Sequence, residues 1–427
     1  MNQPFRLCVI SLLLGVANCQ AQHTDWRQWR GNHRDAHAAQ QALLQQWPVG
    51  GPQIKWEFTQ AGSGYSSVSV VDGKLYTLGA RDGGCFAICI DMKTGKQLWD
   101  NQFAGAGVND DYNQGWGGGP RSTPTVDGDQ VFVLSDVGVL AALSVADGTI
   151  QWTTDFVADH GGKIPVWGYS ESPLVDNDRI MVTPGGDDFM IGLDRKTGKK
   201  VWSSKGFNDG AQYVSIMRGS IGDRSYYVTA TKAGLVAFDT QSGDKVFADS
   251  ATANKVAVIP TPVIDGDLVY HTSAYGAGNT LLKLTADGDK VQAETVYALQ
   301  GKSMENHHGG TVLVDGVIYG FTKANGGTWM AQEMSSGKTL WEEKIRPNRS
   351  GSICFADGRL YCYNDKDGSV YLVPPSREGW QSNGKLTLPK QTTIPREKGA
   401  IWAHPVVADQ TLIIRDQDLI YAFDIAR

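Results

Sequence analysis

Nine side chains in this sequence could take part in chemistry, and each lies just ahead of a recurring Asp-Gly or Asp-Gly-like turn: Tyr65, Arg121, Tyr169, Glu171, Gln212, His307, His308, Trp402 and His404. Aromatic rings mixed with a few polar groups suit a small-ligand pocket, where the walls supply contact area and the polar atoms fix orientation. Glu171 could contact a ligand, or pair with Arg121 as a structural ion pair across a central channel. His307 and His308 are adjacent, so on a strand they point to opposite faces and at most one faces an axis. A histidine metal site would need His404 and a further ligand beside it. Eight histidines without an HxH or HExxH spacing give that reading little support. There is no GxSxG elbow and no P-loop. Asn109-Asp110-Asp111 reads as a loop, and Asp187-Asp188 as a solvated turn.

The elements that must position these residues repeat along the chain. A short β segment enters a turn and leaves through an aromatic-rich strand, with turn aspartates at 72, 127, 176, 223, 265, 315, 357 and 409. The mean spacing is about 48 residues, in the range of propeller blades. Asp-Gly between alternating apolar strands is a strong hairpin signal, because the turn needs positive φ. A second turn follows in several units, with an aromatic residue four positions beyond its glycine: Gly95 and Trp99, Gly148 and Trp152, Gly198 and Trp202, Gly243 and Phe247, Gly337 and Trp341. Rings at one fixed place per repeat are expected to pack between blades. The last unit lacks this segment, and Gly51-Pro52-Gln53-Ile54-Lys55-Trp56 supplies it from the other end. The expectation is an all-β, eight-bladed propeller of four-stranded antiparallel blades, its ring closed by an N-terminal strand so that two sheet edges are removed.

Composition agrees. Of 427 residues, 41% are apolar, 10% aromatic and 51 are glycine, a balance of core and turns and not of disorder. A net charge of −6 without a Lys/Arg cluster excludes a nucleic-acid partner. Arg6 followed by the short apolar run from Leu7 to Ala17 reads as an export signal, with cleavage near Ala21. The alternative, lipidation at Cys19, is disfavoured by Asn18 where a small residue is needed. The expected division is a signal peptide at 1–21, an N-terminal extension at 22–50 and the propeller at 51–427, exported to the periplasm or cell envelope without a membrane-spanning segment. Cys85 and Cys89 lie on one strand about 13 Å apart, too far to bond. Cys354 and Cys362 could pair across a hairpin only in the right register, and otherwise all four are buried thiols.

The phrase Asp-x-x-Thr-Gly-Lys-x-x-Trp, at Asp91 to Trp99 and Asp194 to Trp202, resembles the tryptophan-docking repeat of propellers related to pyrroloquinoline-quinone (PQQ) enzymes. Four further stretches are similar to exported PQQ-binding-like repeat proteins of planctomycete-type bacteria. They are Asp25-Trp26-Arg27-Gln28-Trp29-Arg30-Gly31, Trp167 to Pro173, Asn306-His307-His308-Gly309-Gly310 and Trp402-Ala403-His404-Pro405. The wider group includes quinone-dependent alcohol dehydrogenases, the propeller of the outer-membrane assembly machinery and sensor domains of kinases, so the resemblance implies a fold more sharply than a role. In the dehydrogenases it implies PQQ and Ca²⁺, a vicinal disulfide and Glu, Asn and Asp ligands. This chain has no adjacent cysteines, and its residues do not map onto those ligands. The expected role is a monomeric, non-catalytic binding or scaffold protein of the envelope, for a protein, peptide or glycan. The alternative is a quinone-dependent or other small-molecule enzyme acting in the central funnel.

Overall fold

The Asp-Gly hairpins fold into eight four-stranded antiparallel sheets, seen in a computed structural model that describes residues 24–39, 42–288 and 290–427. The export signal and Cys19 lie outside the described residues. Seven blades are continuous in sequence, at 69–105, 125–155, 174–203, 217–249, 263–299, 311–343 and 351–387. The eighth joins the two ends of the chain. Its strands Val406–Ala408, Thr411–Asp416 and Leu419–Asp424 are completed by Ile54–Phe58, which pairs Ile54 with Phe423 and Trp56 with Ala422. No helix among the described residues is long and apolar enough to cross a membrane.

The hairpin tips fall into two sets. In four blades the tip is Asp72-Gly73, Asp315-Gly316, Asp357-Gly358 or Asp409-Gln410, with both residues at positive φ. In the other four the tip is Gly128-Asp129, Asn177-Asp178, Gly222-Asp223 or Gly266-Asp267, with positive φ at the first residue alone. These are the two turn geometries whose twist matches that of the flanking strands.

Neighbouring blades are joined by aromatic docking. The Trp56 indole donates from Nε1 to the Met92 carbonyl at 2.8 Å and covers Gly95, where a Cβ would come within 2.7 Å of the ring. Trp99 docks in the same way on Val145 and Gly148, and Trp152 on Arg195 and Gly198. Tyr297 docks on Met334 and Trp341 on Ser376. The seam that closes the ring is therefore built like the seams within it. All four described cysteines are free and buried. Register explains the hairpin pair: Cys354 lies opposite Tyr361 and Cys362 opposite Ile353, so the two thiols point to opposite faces.

Residues 24–39 run through the channel against the inner strands. Trp26 pairs with Val70, the Arg27 carbonyl accepts from Val126, and Thr24 is held by Asp409. Arg34 is buried, with Nη1 donating to the Ile216 carbonyl at 2.9 Å and Nη2 to that of Ser172 at 3.2 Å. Arg30, also buried, donates to the Thr311 carbonyl, His37 bonds the Leu313 carbonyl, and Ala36 and Ala38 pair with Phe355. One short segment thus satisfies backbone groups that an open channel would leave to water.

Candidate functional site

The channel segment stops one end of the ring, and the loops entering the inner strands surround a cavity of about 290 Å³ at the other. Its floor is Trp29, held by an Nε1 hydrogen bond to Thr261 Oγ1 at 2.9 Å. One wall stacks Trp116 on Trp402, with centroids 6.0 Å apart and planes inclined by 25°. Tyr65 tilts against Trp402 and donates its hydroxyl to the Trp116 carbonyl at 2.6 Å. Arg121 lies with its guanidinium 4.9 Å from the centre of the Tyr65 ring. Its Nε and Nη2 are tied to the carbonyls of Trp167 and Gly117 at 2.8 and 2.7 Å, so the cation is fixed by the backbone. Trp167 and Tyr213 form a second wall, and Tyr275 and His307 a third. The Tyr275 hydroxyl lies 2.8 Å from His307 Nε2. Lys323 stands exposed at the rim, 5.8 Å from the Tyr275 ring centre.

The three histidines of the cavity stay neutral. Burial lowers His307 and His404 from 6.5 to about 3, and lowers His308 well below its ordinary value with help from the neighbouring imidazoles and Lys323. His404 Nε2 lies 3.0 Å from the His308 carbonyl. A carbonyl only accepts, so that nitrogen carries the proton and Nδ1 keeps a free lone pair. His404 Nδ1, both ring nitrogens of His308 and the Trp167 indole N–H have no partner among the described residues. Partial desolvation at the rim lowers the Lys323 ammonium, opposed by the charge of Asp365.

Six of the nine residues singled out in the sequence meet here: Tyr65, Arg121, His307, His308, Trp402 and His404. Three do not. Tyr169 turns outward onto Phe156 and donates to the Pro184 carbonyl, while Gln212 bonds the Ala211 carbonyl and the Val258 amide. Glu171 is buried against the Thr183 amide, and its nearest cationic influence is Arg34. The Arg121–Glu171 pair, one of the two readings for Glu171, is absent: Arg121 Nε and Nη2 are held by the carbonyls of Trp167 and Gly117, and Glu171 is turned to the Thr183 amide. The neighbours of these three, Ser170 and Tyr213, line the cavity instead. His307 and His308 both line the cavity with ring centroids 5.1 Å apart, against the expectation of one at most. They sit in an irregular loop, where strand alternation does not apply. The sequence reading missed Trp29, Trp167 and Lys323 as lining residues. Trp116 and Tyr275 had left a signal in their glycine-framed loops, and Trp29 in the Trp26 to Gly31 phrase.

The family model described as "Outer membrane protein assembly factor BamB" matches residues 22–159 and 86–341. The chain belongs to the BamB family. Among solved structures, BamB from Moraxella catarrhalis aligns with a TM-score of 0.57 at 14% identity, covering 87% of this chain and 97% of that one. Quinohemoprotein alcohol dehydrogenase ADHIIG from Pseudomonas putida HK5 aligns at 0.65 and 13%, covering 94% and 80%. A europium-containing methanol dehydrogenase aligns at 0.65 and 13%, covering 92% and 89%. At such identities these likenesses show the shared fold. In sequence, ADH-IIG of Pseudomonas putida is 28% identical over 149 residues, 31% of this chain and 18% of that protein's length. The cavity of this BamB-family chain does not fit a quinone–Ca²⁺ pair. Its lining contains no carboxylate, and among the described residues no cluster of three His, Cys, Asp or Glu could hold a metal.

Proposed function

We propose that this BamB-family propeller is a non-catalytic binding protein of the cell envelope, which holds a small molecule in the cavity above Trp29 and serves as a scaffold for an envelope partner. The observation that carries the reading is the make-up of the cavity. Aromatic rings surround a space near the lower end of ordinary ligand pockets, about 300–1,000 Å³, and the hydrogen-bonded Tyr275–His307 pair has no carboxylate in the lining behind it to drive proton transfer. The imidazoles are held neutral well below physiological pH, and no carboxylate lines the space to act as base or nucleophile. The reading of the Leu7 to Ala17 run as an export signal, and membership of a family whose model is described as an outer-membrane assembly factor, support the envelope location.

The test is a panel of small molecules screened by calorimetry alongside turnover assays, with and without added PQQ and Ca²⁺. The expected result is saturable heat that disappears in Trp402→Ala, with every compound recovered unchanged. Quinone-dependent dye reduction by an alcohol, lost in His308→Ala, would overturn the reading in favour of an oxidoreductase.

A further inference from the structure

We infer that the ligand of this cavity is a single ring bearing both hydroxyl groups and a carboxylate, an inference that rests on the cavity being a binding site. Three independent observations converge on that chemistry. The first is charge: the ionised side chains of the lining are Arg121 and Lys323, while the carboxylates that act on them, Asp136 and Asp365, stand behind the lining and leave its inner surface positive. Arg121 uses Nε and Nη2 on backbone carbonyls, and its Nη1 has no hydrogen-bond partner among the described residues. An anion is the group that such a fixed, partly desolvated guanidinium selects.

The second is the pattern of unmet hydrogen bonds. His404 Nδ1 can only accept, since its other nitrogen donates to the His308 carbonyl. The Trp167 indole can only donate, and neutral His308 offers one donor and one acceptor. Buried polar atoms left unpaired are costly, so a ligand that answers them gains over one that does not. A ligand answering this set must both donate and accept at several points. Hydroxyl groups do both, whereas a carboxylate or a ketone only accepts.

The third is shape. Trp116 and Trp402 present a flat double wall and Trp29 a flat floor. About 290 Å³ is room for one ring with its substituents above that floor. Two sources supply this shared chemistry: an acidic monosaccharide such as a hexuronate, stacked by its C–H face, and a phenolic acid such as a dihydroxybenzoate, stacked by its π face.

Calorimetry with four probes separates the elements. Glucuronate against glucose reports the carboxylate, and 3,4-dihydroxybenzoate against benzoate reports the hydroxyls. At least one of glucuronate and dihydroxybenzoate is expected to bind tenfold or more tightly than its partner, and whichever binds better identifies the source. Arg121→Gln should weaken the acid tenfold or more, and by a larger factor than it weakens uncharged glucose. Lys323→Gln, at the exposed rim where folding is not at stake, should weaken it severalfold with a reduced salt dependence. Equal binding within both pairs, or an acid whose affinity ignores both variants, overturns the inference. If none of the four binds while another compound of the panel does, the ligand class is wrong and the cavity reading stands. If no compound binds at all, both are wrong.

Discussion

The indole of Trp29 stands edge-on to the imidazole of His404, ring centroids 4.4 Å apart and planes at 62°. One residue comes from the segment that plugs one end of the channel and the other from the loop that enters the last blade. The base of the cavity is thus an assembly of two chain ends. An eight-bladed ring leaves a channel too wide for its own inner strands to fill, and residues 24–39 occupy it at one end. The cavity exists because that filling stops at Trp29.

Trp29→Ala should therefore damage binding more than folding. The ring is only half-buried, so the loss of stability is expected near the low end for deleting a large aromatic, about 3 kcal/mol. Ligand affinity should fall tenfold or more, because the cavity then opens towards the channel. Trp29→Phe keeps most of the floor and loses the bond to Thr261, and should recover most of the affinity. Urea unfolding and calorimetry on the same preparations check both halves. Unchanged binding in Trp29→Ala would show that the floor is elsewhere.

The closing seam invites a direct comparison with an internal one. Trp56→Ala removes a ring 7% exposed together with its bond to Met92, and is expected to cost about 3–5 kcal/mol. Trp152→Ala, with an equivalent dock on Arg195 and Gly198, should cost a similar amount. Gly95→Ala should also destabilise, since its φ of +69° is unfavourable to a side chain and the Cβ would press into the Trp56 indole. If guanidinium unfolding shows Trp56→Ala to be near neutral while Trp152→Ala is costly, the two ends of the chain are not fastened as described.

Arg415 fastens the same seam from inside. It is buried, and its Nη1 reaches the Ser66 carbonyl at 3.0 Å, Thr77 Oγ1 at 2.7 Å and the Leu78 carbonyl at 2.6 Å, all at the first blade. Nε meanwhile holds the Gln417 carbonyl at 2.8 Å. Arg415→Met would strand these acceptors out of water and is expected to cost about 3 kcal/mol or more. Arg415→Lys should rescue little, because one ammonium cannot span the fork. Full recovery in Arg415→Lys, measured by thermal unfolding, would refute that account.

The ring was legible because its signals are local: a turn pair, a glycine, and an aromatic four residues later can each be read from a few neighbouring positions. The circular closure was legible because the missing piece of the last blade, Ile54 and Trp56, carries the same pattern as the internal copies. The cavity was legible only in part. Tyr65 and Arg121 line the cavity, as do His307, His308, Trp402 and His404. Tyr169 and Glu171 turn instead to the Pro184 carbonyl and the Thr183 amide, and distance from a turn does not separate the cases, since Tyr65 and Tyr169 each stand seven residues ahead of their turn aspartates, Asp72 and Asp176. Nothing near Trp29 in sequence announces that it meets His404, since that contact depends on where the channel segment comes to rest.

Glu171 provides a pH signature of the wall beneath the cavity. Burial raises its carboxyl from 4.5 to about 7, opposed by the Thr183 hydrogen bond and by the nearby charge of Arg34. A carboxyl raised on folding holds its proton in the folded chain while the unfolded chain has already lost it. Its contribution to stability is thus complete below about pH 4.5 and is lost as pH rises towards 7. At 1.36 kcal/mol per pH unit, the full change is about 3 kcal/mol. The imidazoles act in the opposite sense. His307 and His404, lowered to about 3, favour folding increasingly as pH rises from 3 to 6.5. The wild-type curve therefore mixes both, and the difference between wild type and Glu171→Gln isolates the carboxyl. Glutamine keeps an oxygen for the Thr183 amide but cannot ionise. The variant should gain on the wild type by about 3 kcal/mol between pH 4.5 and 7, and then run parallel to it. Chemical unfolding at half-unit steps measures this, and a difference that stays flat across the interval would mean that Glu171 is not desolvated in solution.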